Sequence, residues 1–174
     1  MAGAAPLRVA LLADTHGALD PRVVALADTC DRVVHAGDVG AADILERLRR
    51  PAGPPIAVAG NNDTRRHWPA GQEAVLDGLP EEAELALPGG RLVVIHGHRQ
   101  RARDRHRRLR ARFPDAAAVV CGHSHREAID TADSPWVLNP GAAGRSRAHG
   151  GPGCLVLTAD PAGWSVASHR FQRR

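Results

Sequence analysis

Five runs of apolar residues, none with polar alternation, set the rhythm of this chain: Leu7–Ala13, Arg32–Gly37, Pro55–Gly60, Arg91–Ile95 and Ala117–Gly122. Runs of this length, rich in Val, Leu and Ala, predict strands buried on both faces. Between the first and second runs, Val23, Val24, Leu26 and Ala27 share one face of a helix expected from about Asp20 to Cys30, with Pro21 suited to its first turn. After the second run, Asp43 is placed to cap a short helix through Arg50 whose apolar side is Ile44, Leu45 and Leu48, and Pro51–Pro55 ends it. Strand, helix, strand, helix, strand in that order predicts a parallel sheet with right-handed crossovers.

The second half changes period. Glu84–Leu87 and Arg91–Ile95 flank Pro88-Gly89-Gly90 and predict an antiparallel hairpin. Ala102, His106, Leu109 and Phe113 fall at helical spacing and give an Arg-rich helix with one narrow buried stripe. Further strands are expected at Trp136–Asn139, Gly153–Ala159 and Trp164–Phe171, the last two forming a hairpin that turns at Asp160-Pro161-Ala162-Gly163. The whole predicts an α/β fold: a four-layer αββα sandwich of two mixed sheets flanked by helices, as one domain over residues 1–174.

Each of the five runs ends in a residue able to bind a metal. Leu7–Ala13 leads to Asp14-Thr15-His16, the second run to Asp38, the third to Asn61, the fourth to His96 and the fifth to His123-Ser124-His125. Open α/β sheets gather ligands outside the carboxyl ends of their strands, so these residues should converge on one rim. Asp14, His16, Asp38, Asn61, His96, His123 and His125 mix carboxylate, amide and imidazole donors without a thiolate. Manganese is the first expectation for such a set, with iron, zinc, nickel or cobalt as alternatives; all-oxygen cages suit calcium and magnesium better. Seven donors exceed what one catalytic ion with an open position takes, whereas two divalent ions ~3.5 to 4 Å apart sharing a bridging carboxylate would use them all.

Composition narrows the field. The three cysteines, Cys30, Cys121 and Cys154, are odd in number and widely spaced, which fits reduced core thiols in a cytoplasmic protein better than a disulfide framework. No stretch approaches a membrane span or a secretory leader, so no membrane partner is expected. All 23 basic residues are Arg. Arg99–Arg112 holds eight Arg against one Asp and contributes +7, the tail from Ser168 contributes +3, and the remainder of the chain sums to −6. The basic segment reads first as a solvated charged face and second as an electrostatic funnel for anionic phosphodiesters. Nucleic acid is the less favoured partner, since two Phe and three Trp offer little for bases to stack on.

Asp14-x-His16, Gly37-Asp38, Gly60-Asn61-x-Asp63, His96-Gly97-His98 and Gly122-His123-Ser124-His125 resemble, in order and spacing, the motifs of the calcineurin-like metallophosphoesterases. More narrowly, the chain looks like the small bacterial and archaeal phosphodiesterase branch that lacks an added cap domain. The resemblance runs from Leu7 to about Arg147. It implies the same sandwich fold, one metal held by Asp14, His16 and His125, a second by Asn61, His96 and His123, and Asp38 bridging them. It implies hydrolysis of phosphate diesters, small phosphodiesters or nucleotides, by attack of a metal-bridging hydroxide.

The chain has Asn62 where many members of the superfamily it resembles carry a His after the Asn of the third motif; the small branch likewise lacks that His. The expected catalytic set is then Asn62, His98 and Asp63: Asn62 hydrogen-bonding a phosphate oxygen, His98 or a metal-bound water supplying the proton, and Asp63 bracing the loop or orienting a ligand. Asn139-Pro140-Gly141-Ala142 resembles an Asn-Pro-Gly-Ser loop of the same branch, so Asn139 and the downstream Arg145 or Arg147 are expected to contact substrate. His35, His67, His106, His149 and His169 read as structural, and Gly17, Gly37, Gly60, Gly97 and Gly122 as tight-turn residues. The competing reading is a non-catalytic metal-binding scaffold of the same fold, as in a eukaryotic sorting-complex subunit.

Overall fold

The computed structural model describes residues 5–173. Among these residues ten strands form two five-stranded mixed sheets. The first is built from β1 (Leu7–Leu12), β2 (Arg32–His35), β3 (Ile56–Ala57), β9 (Gly153–Asp160) and β10 (Gly163–Arg170), in the order β10-β9-β1-β2-β3. The second contains β4 (Glu82–Leu87), β5 (Gly90–Ile95), β6 (Ala118–Val120), β7 (Glu127–Asp130) and β8 (Trp136–Pro140), in the order β4-β5-β6-β8-β7. β1, β2 and β3 run parallel, as do β5, β6 and β8; β9, β10, β4 and β7 add the antiparallel pairs.

The missing polar alternation has a direct cause, because both faces of the central strands are buried. Along β1 and the residue after it, Val9, Leu11 and Ala13 face the other sheet, while Ala10 and Leu12 face α1 (Pro21–Ala27), α2 (Ala42–Arg47) and α3 (Glu73–Asp77). In β5, Leu92 and Val94 meet the first sheet, and Val93 and Ile95 pack under Leu109 of α4 (Arg105–Arg112). Three apolar layers therefore separate four structural ones, and the fold is the expected α/β sandwich. Cys30, Cys121 and Cys154 are buried free thiols, and no helix among the described residues is long and apolar enough to cross a membrane.

The helices depart from their sequence expectations for tertiary reasons. α1 stops at Ala27, and Asp20 caps it by accepting from the Arg22 N–H. Asp43 does not cap α2; it lies inside the first turn, and the Ala42 N–H donates instead to Gln72 Oε1 at 2.7 Å, a partner 30 residues away. α3 and β7 carry no periodic signal. Ala102 sits in a 3-10 turn and is exposed, so the buried stripe of α4 is made by Arg105 and Leu109.

Five of the eight arginines in the basic segment have carboxylate partners: Arg99 with Glu81, Arg107 and Arg108 with Asp104, Arg110 with Asp130, and Arg112 with Glu82. That pairing favours the solvated-face reading over the funnel. Asp130 joins β7 to α4, meeting Arg110 at 2.8 Å and His106 at 2.7 Å. The hydrogen bond from Arg110 holds its carboxyl down at about 2, against the effect of burial. A carboxyl depressed on folding stabilises above its unfolded value and loses that contribution as pH falls from about 4 toward 2. Because the Asp130 side chain is 27% exposed, solvent screening trims the effect. Asp130→Asn is expected to cost about 1 kcal/mol at pH 7, with the difference vanishing near pH 2; urea unfolding at both values checks it.

Candidate metal centre

Where β1 and β2 end, their pairing continues through the loops: the Asp14 N–H donates to Gly37 O, the His16 N–H to Asp38 O and the Gly17 N–H to Val39 O, all within 3.0 Å. This zipper aims Asp14, His16 and Asp38 at one rim. The β5 and β6 ends reach the same rim from the second sheet, with the Gly122 N–H donating to His96 O at 3.1 Å.

Among the described residues six non-glycine residues have φ between +48° and +71°: Asp14, His16, Asp38, His123, His125 and Arg147. Five are expected metal ligands and the sixth borders them. Asp and His tolerate the left-handed region better than most residues, yet each such position costs about 1–3 kcal/mol that surrounding structure must offset. Clustering of backbone strain at one rim is the mark of a site shaped for function rather than stability.

The seven donors fall into two groups joined by one carboxylate. His16 Nε2 lies 3.1 Å from His125 Nε2 and 3.6 Å from Asp38 Oδ2, and His125 Nε2 lies 3.7 Å from Asp14 Oδ1. Ligand atoms of Asp14, His16, Asp38 and His125 all fall within 4.8 Å of one another. On the other side, Asn61 Oδ1 is 3.1 Å from both His96 Nε2 and His123 Nδ1, and His96 Nε2 is 3.4 Å from the same Asp38 Oδ2.

The partners of two of these rings set their tautomers. The His125 Nδ1–H donates to Ser146 O at 3.1 Å, which assigns a lone pair to its Nε2, the atom facing His16. The His96 Nδ1–H donates to Ala36 O at 2.8 Å, which leaves its Nε2 facing the oxygens of Asn61 and Asp38, a place for the N–H of a charged ring or for a cation bound by its lone pair. A ring N–H donated to a backbone carbonyl is also how metal-binding histidines are oriented. Asp14 is fully buried, and among the described residues its Oδ2 has no hydrogen-bond partner. An orphaned carboxylate oxygen among converging lone pairs fits divalent cations.

The electrostatics agree. Burial pushes Asp14 up to about 7, opposed by His96 and reinforced by Asp38. Burial would raise Asp38 too, but hydrogen bonds from His96 and Asn62 and the His96 charge hold it below the usual carboxylate range. His96 is raised because the Asp38 carboxylate outweighs burial. Burial lowers His16 and His125, and takes His123 down to about 4. Most of the imidazoles are therefore neutral near pH 7 and carry lone pairs.

The remaining expected residues take distinct places. The Asn62 N–H and Nδ2–H both donate to Asp38, at 2.8 Å each, to Oδ1 and Oδ2. Asp63 accepts four N–H bonds, from Val39, Gly40, Gly60 and Trp68, at 2.8 to 3.1 Å, and so ties the loops on either side of Asp38. His98 stands beside His96 and His123, ring centroids 5.4 and 6.3 Å away. Asn139, expected at the substrate, is instead 3% exposed; its Nδ2 donates to Gly122 O and Ser124 Oγ while its Oδ1 accepts from the Gly141 N–H, so it braces the turn carrying His123. Arg145 and Arg147 part company. Arg147 lines a cavity of about 280 Å³ with His16, Asp38, Asn62 and His67, whereas Arg145 lines a different one.

Sequence reasoning missed His67 as a lining residue, whereas His35, read as structural, has a structural place. The His35 ring is fully buried with Nε2 2.9 Å from Thr15 Oγ1, and that hydroxyl donates to Val39 O at 2.8 Å, clamping the first two loops together. His67 lies on an irregular loop that offers no pattern, and nothing in the His35 run separates it from packing.

The profile of the calcineurin-like phosphoesterase superfamily domain matches residues 7–161. A Mycoplasma pneumoniae protein named probable metallophosphoesterase is 28% identical over 142 residues, covering 78% of each chain. A protein named phosphodiesterase from Methanocaldococcus jannaschii is 23% identical over 145 residues, covering 78% of this chain and 83% of its own. The structure of vacuolar protein sorting 29 from Cryptosporidium parvum aligns with a TM-score of 0.74 at 18% identity, covering 98% of this chain and all of that one, which shows a shared fold.

Proposed function

Because the chain belongs to the calcineurin-like phosphoesterase superfamily, we propose that it is a phosphodiesterase working with two divalent metal ions on small phosphodiesters or nucleotides. The observation that carries this reading is the shared Asp38 Oδ2, within 3.6 Å of a ligand nitrogen on each side. Asp14, His16 and His125 would hold one ion, Asn61, His96 and His123 the other, and Asp38 both. Bound there, such ions supply Lewis acidity, acidifying water and neutralising charge on a phosphate ester.

The protein's own groups then have definable work. Asn62 fixes the Asp38 carboxylate through two donors, Asp63 locks the loops behind it, and Asn139 and His35 hold the His123 and Thr15 turns. Arg147, with Nη2 3.4 Å from His125 Nε2, reaches the cavity and can grip two phosphate oxygens at once. The proton for the departing alkoxide would come from His98 or from water held at the site; burial and the His96 and Arg99 charges lower His98, so only a minor fraction of that ring carries the extra proton near pH 7. Removing one proton donor slows a reaction by about 10²- to 10⁴-fold. His98→Gln is therefore expected to slow turnover of esters with alkyl alcohol leaving groups by about 10²-fold and to spare 4-nitrophenyl esters, whose phenolate leaves without protonation. Equal slowing of both would remove His98 from this role.

The test of the whole reading is elemental analysis of the purified protein together with hydrolysis of bis(4-nitrophenyl) phosphate in added manganese. Metal-dependent turnover supports the enzyme. Full metal loading with no turnover on diesters, monoesters or cyclic nucleotides makes the chain a scaffold.

A further inference from the structure

A second cavity, of about 460 Å³, opens beside the metal centre and is lined by Asp20, Arg22, Arg145, Ala148, Pro152 and Arg173. Three guanidinium groups face it and one carboxylate. That carboxylate is already engaged: Asp20 Oδ1 accepts from Arg22 N and Nε, and Oδ2 from Arg22 Nη2 at 2.9 Å. Arg22 is further tethered to Gln172 O and lies over the Phe171 ring. Among the described residues neither Arg145 nor Arg173 has a carboxylate partner; Arg173 donates only to Ala148 O, at 2.7 Å. Two cations with no ion-pair partner among the described residues border one concavity together with Arg22, and although Arg145 also acts on the single carboxylate, Asp20, three guanidinium groups against one carboxylate leave the field there positive.

The position matters as much as the charge. Arg145 and Arg147 sit two residues apart on one loop, at most about 7 Å between Cα atoms, yet the first lines this cavity and the second the metal cavity. The loop is pressed onto the segment that carries Asp14 and His16: a Cβ at Gly144 would lie 2.5 Å from Thr15 O and 2.4 Å from Ala18 O. The two cavities are thus neighbours across a wall that cannot thicken. Guanidinium forks match phosphate oxygens bidentately, and the volume admits a phosphate with part of its carrier.

We propose that the cavity bounded by Arg22, Arg145 and Arg173 is a phosphate subsite, which receives a second, terminal phosphate of a substrate whose diester linkage lies at the metal centre. This rests on the phosphodiesterase reading for the metal centre, and it narrows the substrate class to diesters carrying a phosphomonoester, such as short 5′-phosphorylated nucleotides.

The experiment is calorimetric titration of the purified full chain with a thymidine dinucleotide joined by an uncharged, non-hydrolysable methylphosphonate, with and without a 5′-phosphate. The phosphorylated form is expected to bind at least ~10-fold tighter, and the advantage to fall below about twofold in the Arg145→Ala, Arg173→Ala double variant. Arg145→Gln, a milder change, should lose part of it. Equal binding of both forms by the wild type, or an advantage that survives the double substitution, overturns the subsite. So does an affinity for inorganic phosphate equal to that for the phosphorylated dinucleotide, which assigns the cavity to the free ion. No bond is cleaved in these titrations, so absence of esterase turnover would sink the function proposed for the metal centre and leave this result standing.

Discussion

Asp38→Asn is expected to lower metal-dependent diester hydrolysis by about 10³-fold or more, the equivalent of about 4 kcal/mol of lost charge stabilisation. The size follows from what one oxygen does. Asp38 Oδ1 accepts from the Asn62 N–H, while Oδ2 accepts from Asn62 Nδ2 and faces His16 and His96 at 3.6 and 3.4 Å. An asparagine has one oxygen for these tasks. If it stays with the Asn62 N–H, an NH₂ group occupies the Oδ2 place, where it can ligate nothing and confronts the Asn62 amide donor for donor. The substitution is isosteric, so the metal-free variant should melt within a few degrees of the wild type. The distinguishing readout is the metal-induced gain in stability. A ligand at 100 times its Kd adds about 2.7 kcal/mol per site, several degrees in Tm for a chain of this length. Manganese should give the wild type that gain, and Asp38→Asn should lose most of it and bind fewer ions by elemental analysis. Unchanged turnover, or an unchanged metal content, would mean that Asp38 does not join two sites.

The strands and the rim they build were readable because burial on both faces leaves an unmistakable run in sequence, as Val9–Ala13 and Leu92–Ile95 show. The convergence of the candidate ligands was readable for a related reason: polar residues at the ends of such runs, as in Asp14, Asp38 and His96, meet at the rim that the strand ends build. What lay hidden depends on partners far apart in the chain. Gln72 caps α2 from across a loop, and Arg105 rather than Ala102 enters the buried stripe. Asn139 sits in a motif that resembles a substrate loop, yet its amide is consumed by Gly122 and Ser124. The choice between Arg145 and Arg147 turned on which side of one loop each side chain leaves, and sequence spacing carries no record of that.

Glycines show the same limit and supply the sharpest mutational test. Gly37, at φ +93°, does what its turn demands. Gly60 does not have a left-handed backbone; its reason is proximity, since a Cβ there would lie 2.1 Å from Asp38 Oδ1 and 2.4 Å from Asp38 N. The second of those atoms is backbone and cannot rotate aside. Gly60→Ala must therefore push the Asp38 loop bodily, against the Asp63 carboxylate that binds Gly60, Val39 and Gly40 together. A displacement of about 1 Å at a catalytic group slows the reaction on the order of 10²-fold, and forced overpacking costs about 1–3 kcal/mol in stability. Expected results are turnover slowed by about 10²-fold or more, metal affinity weakened by about 10- to 100-fold, and a Tm lower by several degrees. Gly78→Ala is the control: its nearest neighbours are carbonyl oxygens at 3.4 Å and its φ is −82°, so activity should hold. Every donor atom survives in Gly60→Ala, and only their placement changes. Wild-type metal affinity in that variant would show that the rim tolerates movement and that the strained backbone at Asp14, His16 and Asp38 serves something other than holding ions at fixed separation.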